Sequence, residues 1–591
     1  MEKKLWNNLA INMNIVSYYR EVINNILIKE FSLKKDDIKN TSFEFPKDFS
    51  LGDFSTNAAM VLSGKLKKSP KQIAEIIINL ALKNEDIEKA EIAGKGFINI
   101  TIKSQIWQEL IFKIIKKESS YGDDIFGNNE KINVEYVSAN PTGPLHVGHG
   151  RGAAYGDAIG RILSSSGYRV EREYYINDAG RQIDILTASV FIRVFQNDFG
   201  DFFPKNAYKG SYISDIGNSF YKQEKPKSLE DISTLIEKLP EDEEKEIDEL
   251  ILRIKNHDLD IWNLIKDFSL DEVLASIKKD LELFNVSFDH WFFESSLGDI
   301  SDEKSQIASA IKTLKDKNLA YEESDAIWLN TSASGDDKNR VLIRDDGRAT
   351  YFASDVAYHK DKIDRGFDKL VNVWGADHHG YIKRIEASME GLGFSKEKLN
   401  VQLVQFANLF KDGNKVKMST RSGDFYSLAD LIKEIGTDAA RFYYLSKQAD
   451  QHLDFDLNLA KSDSKENIFY YIQYAHARIF SLLSKYEAKY SAMPSSSDSI
   501  KNGSYKSCDK LIHEISKYPS IVLRSSSALQ PHLIIFYLKD FAHTFHSFYN
   551  DNHVLTESKE NMESIIYCLS AAKSVISNGL NLLGIEPMEK M

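Results

Sequence analysis

The sequence predicts a multidomain α/β protein, in which a parallel-sheet domain lies between a small N-terminal α+β domain and a C-terminal all-helical bundle. Three observations carry that expectation. Strand, glycine-bearing turn and helix patterns alternate through the middle of the chain, as they do in βαβ units. The 591 residues exceed what one hydrophobic core organises, since such cores stop growing near about 250 to 300 residues. Beyond residue 455 the apolar positions recur only at helical spacing.

The first domain is placed at residues 1–118. Residues 17–31 have helical spacing through Tyr18, Val22, Ile26 and Ile28, and residues 70–82 have it through Ile73, Ile76, Ile77 and Leu80. Between and after them, Gly52-Asp53-Phe54 and Gly94-Lys95-Gly96-Phe97 mark glycine turns, the second entering a strand. Phe54 and Phe97 are read as scaffold. Lys65, Lys67, Lys68 and Lys71 form a basic patch, for which a solvated helix face is the plainer reading.

The second domain spans residues 119–455. Residues 132–137 are β-branched and aromatic enough for a buried strand, a Pro/Gly turn follows, and an amphipathic helix starts near Gly148 with Ala153, Ile159, Ile162 and Leu163. A second parallel strand over 167–175 ends at Asn177-Asp178-Ala179-Gly180. Residues of about 190–280 interrupt the alternation with a charged, helical insertion whose acidic run, 241–249, is read as solvated surface. The core pattern returns at 283–291, a hairpin leads into a helix carrying Tyr351 and Asp355, and strands are expected at 369–374 and 401–406. The third domain, 456–591, is a bundle with apolar stripes at 467–486 and 565–583 and a Ser-rich loop at 495–504.

Composition narrows the function classes. The chain is 42% hydrophobic, and no apolar run approaches the roughly 20 residues of a membrane span. Its start carries charge without the apolar core of a signal peptide, and Met13 is as good a first residue as Met1. The two cysteines, Cys508 and Cys568, form no C-x-x-C pair, so a reduced, cytoplasmic setting without cysteine-held zinc is expected. A net charge of −12 argues against nucleic acid as a whole-surface partner but leaves room for local basic patches. Asp377, His378 and His379 are adjacent, but no second cluster stands at ligand spacing, so no metal site is assigned.

The chemistry concentrates in Glu135 to Arg151. His146 and His149, in His146-Val147-Gly148-His149, fall in a helix's first turn, where unpaired N–H groups and the helix dipole favour an anion. Gly148 between them would let adenine or phosphate approach the backbone. On the residues alone, the two histidines are equally well read as caps of their own helix. Lys415, Lys417, Met418 and Ser419 lie far downstream after a Gly413 turn, in a segment suited to gripping a polyphosphate. Tyr351 and Asp355, one turn apart, form a pair read as a buried ring plus carboxylate for a planar cation, with local capping or pairing of Asp355 as the bland alternative.

His146-Val147-Gly148-His149 together with Lys417-Met418-Ser419-Thr420-Arg421 resembles the paired HIGH and KMSKS signatures of class I aminoacyl-tRNA synthetases. The surrounding text, from about residue 15 to the C-terminus, resembles the arginyl-tRNA synthetases. The resemblance implies a Rossmann-type catalytic domain, an N-terminal domain on the tRNA elbow and a C-terminal anticodon-binding domain. It implies that ATP and Mg²⁺ activate L-arginine to an adenylate, which is transferred to tRNA(Arg) by a cytoplasmic monomer with no prosthetic group. Activation is expected to need bound tRNA.

Residue by residue, the resemblance makes His146, His149, Lys417 and Ser419 catalytic. It adds Pro141, Thr142, Gly143, Gly148, Gly375, Asp377, His378, Lys415 and Met418 to the ATP site, and gives Glu135, Asn140, Tyr351 and Asp355 to arginine. Arg421, preceded by Thr420, stands where KMSKS has its second lysine, which leaves open which cation faces the pyrophosphate. The competing readings are a sister class I synthetase, an RNA-independent nucleotidyltransferase and an inactive tRNA-binding paralogue.

Overall fold

The structure, a computed structural model, describes residues 15–46, 48–226, 229, 231–416, 426–491 and 506–591. The chain forms two compact units, one of Met1–Asn128, Ser165–Gly167 and Asp463–Met591, the other of Asn129–Ser164 and Tyr168–Ser462.

In the first unit, strands β1 (Phe43–Glu44), β2 (Phe54–Thr56), β3 (Ile87–Ala93) and β4 (Phe97–Ile102) make an antiparallel sheet in the order β1-β2-β4-β3. Phe54 is fully buried, with the rings of Tyr19, Phe43, Phe45 and Trp107 at centroid distances of 5.4, 5.2, 5.4 and 6.2 Å. Phe97 departs from the expectation: it is 40% exposed at the start of β4, just after the glycine turn, so it is not core scaffold. The helices Ile468–Tyr490, Asp509–Ala528, His532–Asp551 and Lys559–Leu582 belong to the same unit, and Ile565, Leu569, Ala572, Ile576 and Leu580 form the buried stripe that their spacing predicts. Asp53 joins the two parts, accepting from Ile102 N and facing His513 Nε2, each at 2.7 Å. The Ser-rich stretch 495–504 lies outside the described residues.

The second unit is built on a five-stranded, wholly parallel sheet. Strands β5 (Lys131–Glu135), β6 (Arg169–Ile176) and β7 (His290–Phe293) run to one side, and β11 (Lys369–Gly375) and β12 (Leu399–Val404) to the other. The order is β12-β11-β5-β6-β7. Connections leave β5 and β11 in opposite directions, which makes the gap above their carboxyl ends the topological switch point where α/β sheets bind ligands. Between β7 and β11, β8 (Ala320–Glu323), β9 (Ala326–Leu329) and β10 (Arg340–Ile343) form a small antiparallel sheet that precedes the helix Tyr351–Asp364. After β12 come β13 (Ala407–Lys411), β14 (Asn414–Lys415) and β15 (Leu453–Asp456), with β13 parallel to β15.

The insertion is helical, as Ser211–Glu224, Glu243–His257 and Leu259–Leu283. Its acidic helix buries Ile247, Leu250, Ile251 and Ile254. Four of its carboxylates are spoken for: Arg181 donates to Glu244 at 2.5 Å and to Asp248 at 2.7 Å, Arg253 to Glu249 at 2.8 Å, and Lys205 lies 3.1 Å from Glu243. Among the described residues no helix is long and apolar enough to cross a membrane.

Candidate functional site

β5 stops at Glu135, two residues before the predicted end, because the chain turns there on itself. Ser138 N donates to Tyr136 O at 2.9 Å across Val137, whose φ is +67°. This three-residue turn of positive φ is rare and strained, most of all at a β-branched residue. The turn has a consequence for the site: Ser138 Oγ donates to Glu135 Oε1 at 3.1 Å and accepts from Tyr175 N at 3.2 Å. The Glu135 carboxylate is thereby held at the sheet's upper edge. Asn140 follows, exposed, its amide donating to Gln182 Oε1 at 2.7 Å. Pro141 is buried, and Gly143 leaves room for Tyr212 of the insertion, whose hydroxyl donates to Thr142 O at 2.7 Å; a Cβ on Gly143 would lie 2.9 Å from that ring.

His146 precedes the helix Val147–Ser165 and His149 is in its first turn, with the rings stacked at 3.9 Å. Backbone N–H groups fix both tautomers. Gly148 N donates to His146 Nδ1 at 3.0 Å, and His146 N donates to His149 Nδ1 at 3.3 Å. An Nδ1 that accepts cannot carry the proton, so each ring presents Nε2–H. Burial lowers the pKa of His146, and burial reinforced by His146 lowers that of His149 to about 3. The pair is therefore a set of neutral N–H donors at neutral pH.

Gly148 has a structural reason beside the expected one. A Cβ there would sit 2.7 Å from His146 Cε1 and 2.8 Å from its Nδ1, so the glycine first of all makes space for the imidazole folding back. The half-exposed Phe406 is its other neighbour. Gly148→Ala is expected to lower kcat by more than tenfold while leaving the melting temperature within a few degrees, checked by steady-state kinetics beside a thermal melt; an unchanged kcat would contradict this packing.

The segment downstream of the lysine-bearing stretch is joined to the histidines through backbone. Val147 N donates to Tyr426 O at 3.2 Å and Leu428 N donates to Leu145 O at 2.9 Å, bracketing His146. Lys417, Met418, Ser419, Thr420 and Arg421 themselves lie outside the described residues. Lys415 is exposed on β14, after a hairpin turn with positive φ at both Asp412 and Gly413.

Across the switch point, Thr350 caps the helix Tyr351–Asp364 by accepting from Ala353 N. Asp355, half-buried, receives the hydroxyl of Tyr381. Burial pushes its pKa up to about 7 against the hydrogen bond from Tyr381, and the Glu135 and Glu294 carboxylates nearby push the same way. Glu294 is itself raised by burial, although Tyr175 and Ser354 donate to it. Lys362 already pairs with Glu135, so among the described residues Asp355 and Glu294 are the carboxylates left without a paired cation, and they are suited to receive one. Tyr351 differs from the sequence reading. Its ring is 64% exposed rather than buried, with the hydroxyl 3.6 Å from where a Cβ on Gly180 would be. The turn after β11 exposes Asp377 and His378, and a Cβ on Gly375 would meet Asp377 Oδ1 at 2.5 Å, a contact the exposed carboxylate can swing away from.

The comparisons with known proteins bear on this geometry. Residues 111–466 match the class I tRNA synthetase (R) catalytic domain, 17–102 the arginyl tRNA synthetase N terminal domain, and 472–591 the DALR anticodon binding domain. A protein of Hydrogenovibrio crunogenus named arginine–tRNA ligase is 41% identical, covering 94% of this chain and 97% of its own. The chain belongs to the arginyl-tRNA synthetase family. A relative of the same name from Nitrosospira multiformis is 42% identical over 93% of this chain and 95% of its own. The Thermus thermophilus arginyl-tRNA synthetase structure has the same fold, with a TM-score of 0.74 at 20% identity over 98% of this chain and 100% of that one.

Within this synthetase, the sequence reading missed Glu294, Tyr381 and Lys362, all in the acidic pocket or behind it. Only Lys362 left a legible signal. Asp355, Tyr358, His359 and Lys362 repeat at helical spacing on the face that the structure buries, an unusually polar stripe for a helix laid on a parallel sheet.

Proposed function

We propose that this synthetase joins L-arginine to tRNA(Arg) in two steps at the switch point. The reading is carried by one observation: backbone hydrogen bonds join Leu145 and Val147 to Tyr426 and Leu428, so Tyr426, nine positions after Lys417 in sequence, lies beside the histidine pair. Arginine's carboxylate attacks the α-phosphate of ATP, the new P–O bond forms as the α–β anhydride breaks, and pyrophosphate departs. The terminal ribose hydroxyl of the tRNA then attacks the carbonyl carbon and AMP leaves.

No protein nucleophile enters, because positioning and charge stabilisation carry phosphoryl transfer. His146 and His149 donate Nε2–H to phosphate oxygens as charge moves onto the leaving group. Lys415, Lys417, Met418 and Ser419 serve the phosphates. Pro141, Thr142, Gly143, Gly375, Asp377 and His378 border the nucleotide, with Gly148 and Phe406 offering adenine a flat wall. Mg²⁺ arrives on the ATP phosphates, where it neutralises charge. Glu135 and Asn140 hold the ends of arginine. Asp355 and Glu294 take the guanidinium, which Tyr351 covers from the open side.

Residues 1–118 and 456–591 are assigned to the tRNA elbow and the anticodon, and the enzyme works as a cytoplasmic monomer. A panel of amino acids with tRNA in an ATP-dependent aminoacylation assay tests the reading. Arginine alone should be charged; failure to charge it, or charging of another amino acid, overturns the proposal.

A further inference from the structure

The stretch from Tyr136 to His146 lies between β5 and the helix Val147–Ser165 and belongs to neither. It folds on itself twice, Ser138 N donating to Tyr136 O at 2.9 Å and Thr142 N to Asn140 O at 2.8 Å, so its remaining polar groups depend on partners from elsewhere. Tyr174 of β6 supplies one, donating to Ala139 O at 2.9 Å. The last four residues before His146 depend instead on the helical insertion.

Tyr212, on the helix Ser211–Glu224, donates to Thr142 O at 2.7 Å, and Asp280, on the helix Leu259–Leu283, accepts from Leu145 N. The two grips bracket Gly143 and Pro144. They come from one packed body, because Phe220 of the first helix meets Phe268 of the second edge-on, with ring centres 5.3 Å apart. Tyr212 is closely fitted on its other side as well, since a Cβ on Gly210 would fall 2.4 Å from its ring.

Covering a sheet calls only for apolar side chains, and neither grip is apolar. Asp280 is buried, and burial pushes its carboxyl up to about 6. A carboxylate held there costs desolvation that an apolar side chain of similar size would not. What it holds is the peptide group next to a working histidine: Leu145 O accepts from Leu428 N at 2.9 Å, and His146 N is committed to His149 Nδ1. With both neighbouring peptide groups fixed, the ring of His146 has little freedom in where it points.

We propose that the insertion does more than cover the sheet: Tyr212 and Asp280 are positioning residues that fix the turn before His146 and so aim the histidine pair at the ATP phosphates. The proposal rests on the synthetase reading above. Its test is arginine-dependent pyrophosphate exchange with tRNA present, run beside a thermal melt of each variant.

Wild type should exchange with arginine; if it does not, the synthetase reading itself has failed. Tyr212→Phe keeps the ring against Gly143 and removes only the hydroxyl. Its kcat should fall about fivefold, with arginine KM within twofold and the melting temperature within a few degrees of wild type. Asp280→Ala should lose about tenfold or more in kcat, and Asp280→Asn, whose amide oxygen still accepts from Leu145 N, should recover most of that rate. A folded Tyr212→Phe with wild-type kcat overturns the proposal, as does a loss shared equally by arginine KM, which marks general distortion. An Asp280→Asn variant no faster than Asp280→Ala overturns it too. Should Asp280→Ala not fold, Tyr212→Phe decides alone.

Discussion

Replacing Asp355 by asparagine should lower kcat/KM for arginine by about 10²- to 10³-fold in aminoacylation and leave the KM for ATP unchanged. The size follows from the setting. Truncating one partner of a buried charge pair costs about 2 to 5 kcal/mol, much of it from the partner left uncompensated, whereas an exposed pair would give less than about 1 kcal/mol. The same residue sets a pH dependence. Its carboxyl titrates near 7 in the free protein because burial and the Glu135 and Glu294 carboxylates disfavour a further negative charge. A cationic side chain binds the ionised form, so below about pH 7 the site must first lose a proton. Arginine KM should fall as pH rises toward 7 and level off above it, with up to a tenfold change per unit on the acid side. Asp355→Asn should remove that inflection. An arginine KM that is flat from pH 5.5 to 8.5 in the wild type, or an Asp355→Asn variant within threefold of it, would take Asp355 out of the pocket.

What was legible in the sequence is what local periodicity encodes. The run from Lys131 through the Pro/Gly turn to the helix at Val147 announces itself, since alternation, turn residues and helical spacing are all short-range. So does the C-terminal stripe from Ile565 to Leu580. The parts not legible depend on residues brought together from afar. Glu294 and Tyr381 reach Asp355 from 61 and 26 positions away, and neither sits in a motif of its own. Tyr351 was read as buried because it shares a helix face with Asp355, but one turn at a helix start can place the first residue at the pocket's mouth. A glycine between two histidines suggests an open floor for the nucleotide, and only the ring positions reveal that the imidazole of His146 also requires the missing side chain. The positive φ of Val137 is the hardest case, because a β-branched residue at the end of a strand reads as more strand.

His149→Ala should cut the rate of arginine-dependent pyrophosphate exchange by about 10² to 10³, the usual effect of removing one preorganised donor from a developing charge, with arginine KM nearly unchanged. The geometry goes further and says what kind of donor is lost. Both Nδ1 atoms accept from backbone N–H groups, so the working atom is Nε2–H, and His149 titrates at about 3 in the free protein. Since its pKa is depressed, the ring is neutral throughout pH 5 to 8 and needs no proton to act. Two consequences separate a neutral donor from an imidazolium. First, kcat/KM for ATP should show no loss of activity attributable to this pair as pH rises from 5 to 8, whereas an imidazolium would deprotonate and activity would fall. Second, His149→Asn, which keeps an N–H donor without a charge, should retain at least about tenfold more activity than His149→Ala. If the asparagine variant is as slow as the alanine one, and the wild-type rate declines above pH 6.5 in a way that His149→Ala abolishes, the ring works as a cation and the backbone-fixed tautomer is not the reacting form.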